Sequence, residues 1–372
     1  MSKTPAELMQ EATRLTLSGD AAGAATLIQE ALSNQPLTTT DGGTGRQPGD
    51  AEPLARNRMR PPEKASGSFN DGVFSRHGAE MHYKLFVPAR ESLEPAPLLL
   101  LLHGCGQDPG SFATATRMNA IAEAAGMMVL YPAQSSSANP NRCWNWFEPA
   151  HQHRGGGEPD MLSELTRHVM DSLPIDPQRV FVAGFSAGAA MALVLAEQYP
   201  DLYSAAGVHS GLPTGEATSD REAFAMMMGN RVNGAASSPP ADANSSVAAT
   251  QPADSHTPLI LFHGSQDRVV NVANAERIIA NWLAREQSGN VPTNWLPLSL
   301  THDTASGHHY VVTQYVAEEN PDRIGCEYWQ MSEGGHGWSG GNPGGSYTEQ
   351  NGPDASTEIV RFFLERDTTG SS

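Results

Sequence analysis

The pentapeptide Gly184-Phe185-Ser186-Ala187-Gly188 constrains the fold more than any other stretch of this sequence. It follows an apolar run at 179–183 and precedes an alanine-rich segment at 189–199, a pattern that predicts a strand, a tight turn and a helix. A G-x-S-x-G nucleophile elbow requires this context. The serine hydroxyl would then stand at a helix N-terminus, which favours developing negative charge. Because the motif is short and also occurs in unrelated loops, its meaning depends on partners for Ser186 elsewhere in the chain.

Apolar runs alternate with helical patterns along most of the chain. This alternation predicts an α/β fold with a mostly parallel central sheet and helices on both faces, and the G-x-S-x-G elbow indicates that it is of the α/β-hydrolase type. The predicted strands are 81–87, 97–102, 127–131, 180–183, 205–208, 259–263, 310–316 and 324–331. The predicted helices are 111–125, 160–172 with Asp160 as its N-cap, 274–285 and 356–365.

The order of residues in this fold then indicates two partners for Ser186, an acid followed by a histidine. Asp267 lies in the loop after the apolar strand 259–263 and is predicted to orient the base. Asp303, in a polar segment before a strand, is its competitor. His336 is set among glycines in Gly334-Gly335-His336-Gly337-Trp338 and is predicted to be the general base. Structural or exposed roles are expected of the other histidines considered: His103, His209, His263, His308 and His309.

An oxyanion formed at Ser186 would need two backbone N–H donors. The first is expected from Ala187, and the second from the loop after strand 97–102, with Cys105 preferred to Gly104. Cys105 is disfavoured as a nucleophile because the chain already supplies a serine elbow.

Tryptophans concentrate near the predicted site. Trp144 and Trp146 lie in one loop and Trp338 follows the predicted base. In a cleft these rings would present flat apolar surfaces to an acyl or aromatic group. Core packing is an equal alternative for Trp144 and Trp146, whereas substrate contact is expected of Trp338.

The chain divides into three parts by composition. Residues 1–34 predict an N-terminal helical hairpin, too small to fold alone, which would dock on another surface or mediate self-association. Residues 35–68 predict a flexible linker, and 69–372 the catalytic domain. Within that domain, 214–257 is poor in large apolar residues and predicts a partly disordered insertion over or beside the site.

Charge and cysteine content narrow the partners and the compartment. A net charge of −18 argues against nucleic acid and anionic membrane surfaces as partners. No apolar window is long enough for a transmembrane helix. The first residues lack a signal-peptide pattern, which predicts a cytoplasmic location, with an extracellular one as the alternative. Among Cys105, Cys143 and Cys326, a Cys105–Cys143 bridge and three thiols in a reducing compartment both stay open.

Seven ordered motifs lie between about residue 70 and residue 365. They are His103-Gly-Cys-Gly-Gln107, Cys143-Trp-Asn-Trp-Phe147, Gly155-Gly-Gly-Glu-Pro159, Gly184-Phe-Ser-Ala-Gly188, Val208-His-Ser-Gly-Leu-Pro213, His263-Gly-Ser-Gln-Asp267 and Gly335-His-Gly-Trp-Ser-Gly-Gly341. Together they resemble the polyhydroxybutyrate depolymerase family of esterases, which also contains feruloyl and acetylxylan esterases.

The resemblance implies a serine carboxylic-ester hydrolase that needs no cofactor and no metal. Its triad would be Ser186, Asp267 and His336, with an oxyanion donor at Cys105. Short-chain hydroxyalkanoate esters or oligomers are the first expected substrates, and feruloyl or acetylxylan esters the second. A non-catalytic binding protein on the same fold is disfavoured because none of the triad positions is broken.

Overall fold

A computed structural model describes residues 67–90, 94–230, 257–288, 292–303 and 308–365. The predicted hairpin at 1–34, the predicted linker except for its last two residues, and the 231–256 part of the predicted insertion lie outside these ranges. Self-association through the hairpin therefore stays a prediction.

The described residues form a large twisted sheet and a small two-stranded one. The strands are β1 (Ser68–Arg76), β2 (Ala79–Val87), β3 (Ala96–Leu102), β4 (Met128–Pro132), β5 (Ile175–Phe185), β6 (Ala205–His209), β7 (Leu259–Gly264), β8 (Trp295–Asp303), β9 (His309–Ala317), β10 (Asn320–Met331), β11 (Trp338–Ser339) and β12 (Thr348–Glu349). The large sheet has the order β1-β2-β4-β3-β5-β6-β7-β10-β9-β8, and β11 pairs with β12.

The centre of the large sheet is parallel. Strands β4, β3, β5, β6, β7 and β10 pair in parallel, whereas β1 and β2 at one edge and β9 and β8 at the other pair antiparallel. The loops after β3, β5, β6, β7 and β10 therefore meet at one edge of the sheet, which is where open α/β sheets place their sites.

Helices cover both faces of the sheet, as the sequence predicts. They are α1 (Pro109–Thr116), α2 (Met118–Ala125), α3 (Gly157–Ser172), α4 (Ala187–Gln198), α5 (Asp220–Met227), α6 (Ala273–Ser288) and α7 (Ala355–Glu365), with a short 3-10 helix at Pro149–His151. One core holds residues of α3, α4 and α6, and the other holds residues of α1, α2 and α7. Strand β3 is buried along its whole length and contributes alternate leucines to the two cores, so it must be apolar at every position.

Two helix predictions are wrong in detail. Helix α3 begins at Gly157 and its N-cap is Gly156, so Asp160 lies inside the first turn and does not cap the helix.

The single helix predicted over 111–125 is two helices, because Arg117 adopts a left-handed conformation with φ 55°. The Arg117 guanidinium donates hydrogen bonds to the Gly340 carbonyl and the Asp354 carboxylate, distant partners that sequence periodicity cannot reveal.

The sequence pattern predicts neither of the two edge strands of the large sheet. Strand β1 begins at Ser68, inside the predicted linker, and β8 occupies a stretch that received no prediction. After Trp295 every residue of β8 is exposed, so the strand shows no clear inside–outside alternation. It also contains Pro297, which an edge strand tolerates.

The predicted insertion is partly regular. Its described portion, 214–230, contains helix α5, whose N-cap Ser219 accepts a hydrogen bond from the Glu222 amide. In this portion a capped helix buries Ala223, Phe224 and Met226, and partial disorder of the whole insertion stays a prediction.

Helix α7 should be a main support of the sheet. Phe363 is fully buried and stacks on Phe181 of β5, with ring centroids 4.6 Å apart. We expect Phe363→Ala to lower the free energy of unfolding by about 3–5 kcal/mol, because it removes a buried ring and leaves a cavity. Urea unfolding followed by circular dichroism measures this loss. A loss below about 1 kcal/mol would contradict the assigned packing.

Candidate active site

Ser186 occupies a strained turn between β5 and α4. Its backbone has φ 55° and ψ −119°, in a region that non-glycine residues seldom enter. The Ser186 amide donates to the His209 carbonyl at 2.9 Å, which fixes the turn to the end of the neighbouring strand β6. The turn places the hydroxyl at the N-terminus of α4, as the G-x-S-x-G pattern predicts.

The two glycines of the motif are required by close backbone approaches. A Cβ on Gly184 would lie 2.3 Å from the Gly188 carbonyl oxygen. A Cβ on Gly188 would lie 2.3 Å from the Leu102 carbonyl oxygen and 2.5 Å from that of His103. Glycine at 188 therefore allows the end of β3 and its loop to pack directly against the serine turn.

The structure brings Ser186, His336 and Asp267 into one chain of hydrogen bonds. His336 Nδ1 lies 2.7 Å from Asp267 Oδ2, and His336 Nε2 lies 3.1 Å from Ser186 Oγ. Because a carboxylate only accepts, Nδ1 carries the ring proton, and Nε2 is left to accept from the serine hydroxyl. The three residues are at most 8% exposed, so the chain of bonds is shielded from bulk water.

Asp267 is held as a carboxylate. Burial alone would raise its pKa, but the His336 ring beside it, with lesser contributions from His263 and the Val270 amide, gives a net lowering of the pKa. The amides of Val269 and Val270 both donate to Oδ1 at 2.8 Å, which leaves Oδ2 for His336. A carboxylate in this environment can fix the ring orientation and stabilise an imidazolium.

Two further buried histidines, His209 and His263, lie near the carboxylate of Asp267. His209 Nε2 accepts from the Ser339 amide at 2.9 Å, and the His209 ring stacks on Trp338. His263 Nε2 donates to the Val270 carbonyl at 2.8 Å. Burial lowers the pKa of both rings, so they stay neutral near pH 7. Neither ring bonds to Ser186 Oγ, which agrees with the structural roles expected of them.

The loop after β3 is tied down on several sides. The Gly104 amide donates to Gln107 Oε1 at 2.9 Å, and the Gly106 amide donates to the Asn141 carbonyl at 2.8 Å. A disulfide joins Cys105 to Cys143, with their Cα atoms 4.2 Å apart. The bridge resolves the alternatives left open by the sequence, and it removes Cys105 as a nucleophile. Within the described residues, the Cys105 amide donates no hydrogen bond.

The tryptophans predicted to touch substrate lie in the core. Trp144 and Trp338 are 0% and 1% exposed, and Trp146 is 4% exposed. Trp144 Nε1 donates to the His103 carbonyl, and Trp338 Nε1 donates to Ser356 Oγ at 2.9 Å. Substrate contact by these rings is therefore corrected to core packing, because all three rings are buried and the N–H groups of Trp144 and Trp338 already have partners inside the protein.

Asp303, the competitor of Asp267 in the sequence, does not bind the predicted base. Asp303 is at the exposed end of β8 and pairs with His309 at the start of β9. It makes no hydrogen bond with His336 in the described part of the chain, where His336 Nδ1 is occupied by Asp267.

Sequence reasoning missed two neighbours of the predicted base. The Phe185 ring lies 4.9 Å from the His336 ring, centroid to centroid, and its place inside the pentapeptide is the signal that could have found it. Glu349 accepts a hydrogen bond from the Gly335 amide, and burial raises the pKa of its carboxyl. No sequence pattern marks Glu349, because β12 reaches the site only through its pairing with β11.

The described residues also bear on metal binding and on membrane insertion. No group of three or more histidine, cysteine, aspartate or glutamate side chains there is arranged to hold a metal ion. None of the helices in the same part of the chain has the length and apolarity to cross a membrane.

Comparison with known proteins gives the family. The sequence model of the family described as "Esterase PHB depolymerase" matches residues 81–290, which include Ser186 and Asp267. The chain belongs to this family. Poly(3-hydroxyalkanoate) depolymerase C of Paucimonas lemoignei is 40% identical over 132 residues, 36% of this chain and 32% of that protein. Feruloyl esterase B of Neurospora crassa is 30% identical over 128 residues, 34% of this chain and 42% of that protein.

These matches cover less than half the length of either curated relative. A solved structure, the acetyl xylan esterase from Aspergillus awamori, superposes with a TM-score of 0.56 over 73% of this chain and 94% of that one, at 20% identity. This likeness shows a shared fold, so membership of the PHB depolymerase family and the α/β-hydrolase architecture agree.

Buried neutral histidines should make this esterase-family domain sensitive to mild acid. Burial lowers the pKa of His103 from 6.5 to about 4. The unfolded chain takes up a proton on this residue as pH falls through 6.5 while the folded protein does not. The stabilisation is therefore complete above pH 6.5 and is lost progressively towards pH 4. We expect a loss of about 3 kcal/mol from His103 over this interval.

Urea unfolding between pH 7 and pH 4 measures this dependence. His103→Gln should be less stable at pH 7 yet show a shallower decline with falling pH, because the variant lacks the titrating ring. The remaining decline would come from His209 and His263, whose pKa values are lowered in the same direction. An unchanged slope in the variant would contradict a neutral buried His103.

Proposed function

We propose that this protein is a serine carboxylic-ester hydrolase. The observation that carries the proposal is the hydrogen-bonded series from Asp267 through His336 to Ser186, with the serine raised on a strained turn. Membership of the PHB depolymerase esterase family supports it.

In the proposed acylation step, Ser186 Oγ attacks the carbonyl carbon of an ester. His336 Nε2 accepts the hydroxyl proton as the new C–O bond forms, and Asp267 stabilises the resulting imidazolium. The imidazolium then gives this proton to the alcohol oxygen as the ester bond breaks. The alcohol leaves, and the acyl group stays on Ser186 as an ester.

The proposed oxyanion donors are the amides of Ala187 and Cys105. Ala187 is the first residue of α4, so its N–H has no acceptor within the helix. The Gly104 amide already donates to Gln107, whereas the Cys105 amide has no acceptor within the described residues, which favours Cys105 as the second donor. The disulfide to Cys143 and the contact between Gly188 and the end of β3 hold this loop beside the serine turn.

Deacylation reverses the roles. His336 removes a proton from water, the resulting hydroxide attacks the acyl carbon, and the proton passes to Ser186 Oγ as the acid product leaves. Every proton in both steps moves between this chain, the ester and water, so the proposed reaction uses no cofactor and no metal.

Short-chain hydroxyalkanoate esters or oligomers are the proposed substrates. The relative with 40% identity is named for poly(3-hydroxyalkanoate), which supports this choice. Feruloyl or acetylxylan esters are the second candidate, supported by the names of the 30% identical relative and of the structural neighbour.

The disulfide bears on the compartment in which the protein works. Disulfides form and persist in oxidising surroundings and are rare where thiols are kept reduced. The Cys105–Cys143 bridge therefore supports an extracellular location over the cytoplasmic one.

The nucleophile can be tested by covalent labelling. We expect a fluorophosphonate probe to label the wild-type protein and to leave Ser186→Ala unlabelled, because the probe reacts only with an activated hydroxyl. The same substitution should lower kcat for 4-nitrophenyl butyrate at least about a thousandfold. No labelling of the wild type would favour the non-catalytic binding protein instead, and equal labelling of the variant would contradict Ser186 as the nucleophile.

The acyl preference can be tested with a graded ester series. We expect kcat/KM for dimers and trimers of 3-hydroxybutyrate methyl ester to exceed that for methyl ferulate at least about tenfold, with Ser186→Ala as the blank. A higher value for methyl ferulate or for acetylated xylan would reverse the order of the two candidate substrates.

A further inference from the structure

His263 of β7 is a completely buried side chain beside the triad acid that the proposed reaction does not use. Its Nε2 lies 2.8 Å from the Val270 carbonyl oxygen and 3.6 Å from Asp267 Oδ2. A carbonyl oxygen only accepts, so Nε2 carries the ring proton. That N–H therefore bonds to the acid turn and also lies close to the oxygen that binds His336.

The other ring nitrogen of His263 indicates why an imidazole is present. Nδ1 is buried and, within the described residues, has no hydrogen-bond partner. A buried nitrogen without a donor is unfavourable, and a carbon ring of similar size would avoid it. The hydrogen bond that this imidazole makes, and that a carbon ring could not make, is the one from Nε2–H to the Val270 carbonyl.

That group holds the turn from Asp267 to Val270 from one side. The Val270 amide donates to Asp267 Oδ1 at 2.8 Å, while the Val270 carbonyl accepts from His263. The peptide groups on the two sides of Val270 are thus fixed, one by the acid and the other by His263. Because Oδ1 also accepts from Val269, the carboxylate has little freedom to rotate Oδ2 away from His336.

We propose that His263 is a positioning residue for the acid: its Nε2–H anchors the Asp267–Val270 turn and directs Asp267 Oδ2 towards His336. The expected effect of His263 on kinetics rests on the proposed esterase activity. Its expected effect on the position of Asp267 rests on the geometry alone.

Other titratable groups face the same carboxylate. His209 approaches from β6 and Glu349 from β12, and His308 lies near Glu349. Burial keeps His209 and His263 neutral, so His336 is the ring of this cluster that gains charge in the proposed reaction. Loss of the His263 N–H would remove a favourable partner of the ionised carboxylate, and Asp267 would then take up a proton at higher pH.

The test compares His263→Phe, which keeps a ring but removes the N–H, with His263→Gln, whose amide can donate from a similar position. We expect His263→Phe to lower kcat about 10- to 100-fold with KM nearly unchanged. The acid limb of its kcat/KM profile should move to lower pH by about half a unit or more, because a carboxylate turned away from His336 stabilises the imidazolium less. His263→Gln should recover kcat to within about threefold of the wild type and restore the limb.

Phe363→Leu is the control for a general loss of stability, because it loosens a core contact away from the triad. This variant should lower Tm without moving the pH profile. His263→Phe could instead lower Tm while its pH profile and its kcat and KM match those of Phe363→Leu. In that case His263 is a packing residue and the inference is overturned. The inference is also overturned if His263→Gln behaves like His263→Phe.

A measurement without substrate separates this inference from the proposed activity. The proton on His336 Nδ1, bonded to a buried carboxylate, should give a far-downfield resonance in the proton NMR spectrum. We expect this resonance to shift or broaden in His263→Phe and to return in His263→Gln. An unchanged resonance in His263→Phe would overturn the positioning role, whereas a wild type without esterase activity but with this response would overturn the proposed function only.

Discussion

The strained turn at Ser186 is the constraint on which the rest of the site depends. A left-handed φ at a serine persists only when the surrounding structure fixes it. Here the Ser186 amide is bound by the end of β6, and Gly188 is pressed against the end of β3. The same contacts that hold the turn therefore bring the loop with Cys105 beside it, so the strain at the proposed nucleophile and the position of the proposed oxyanion loop depend on the same packing.

The loops around this turn are joined mainly by hydrogen bonds between backbone groups and buried imidazoles. His209 connects the nucleophile turn, through its carbonyl, to the segment after His336, through Nε2. His103 accepts a hydrogen bond from the Gln134 amide and donates one to the Gly104 carbonyl, and so links the loop after β3 to the segment after β4. Neutral imidazole suits this task because one nitrogen donates and the other accepts.

Much of this arrangement could be predicted from the sequence, and the limits have physical causes. The central strands are apolar on both faces, and the acid and histidine follow the serine in the order that the fold imposes, so the triad Ser186, Asp267 and His336 could be proposed from pattern alone. Edge strands β1 and β8 lack that apolar continuity and were missed. The burial of Trp338 depends on Phe112 and Ser356, distant in sequence, and no local pattern indicates that the ring faces inward.

The side chain and the backbone N–H of Cys105 have separate roles. Its side chain is committed to Cys143, 38 residues away, while its main-chain N–H is the proposed donor to the oxyanion. Replacing Cys105 by alanine would open the bridge and keep the backbone N–H, so this variant would test the bridge and not the proposed donor. Replacing the amide by a backbone ester through chemical synthesis would separate the two, because it removes only the N–H and leaves the sulfur in place.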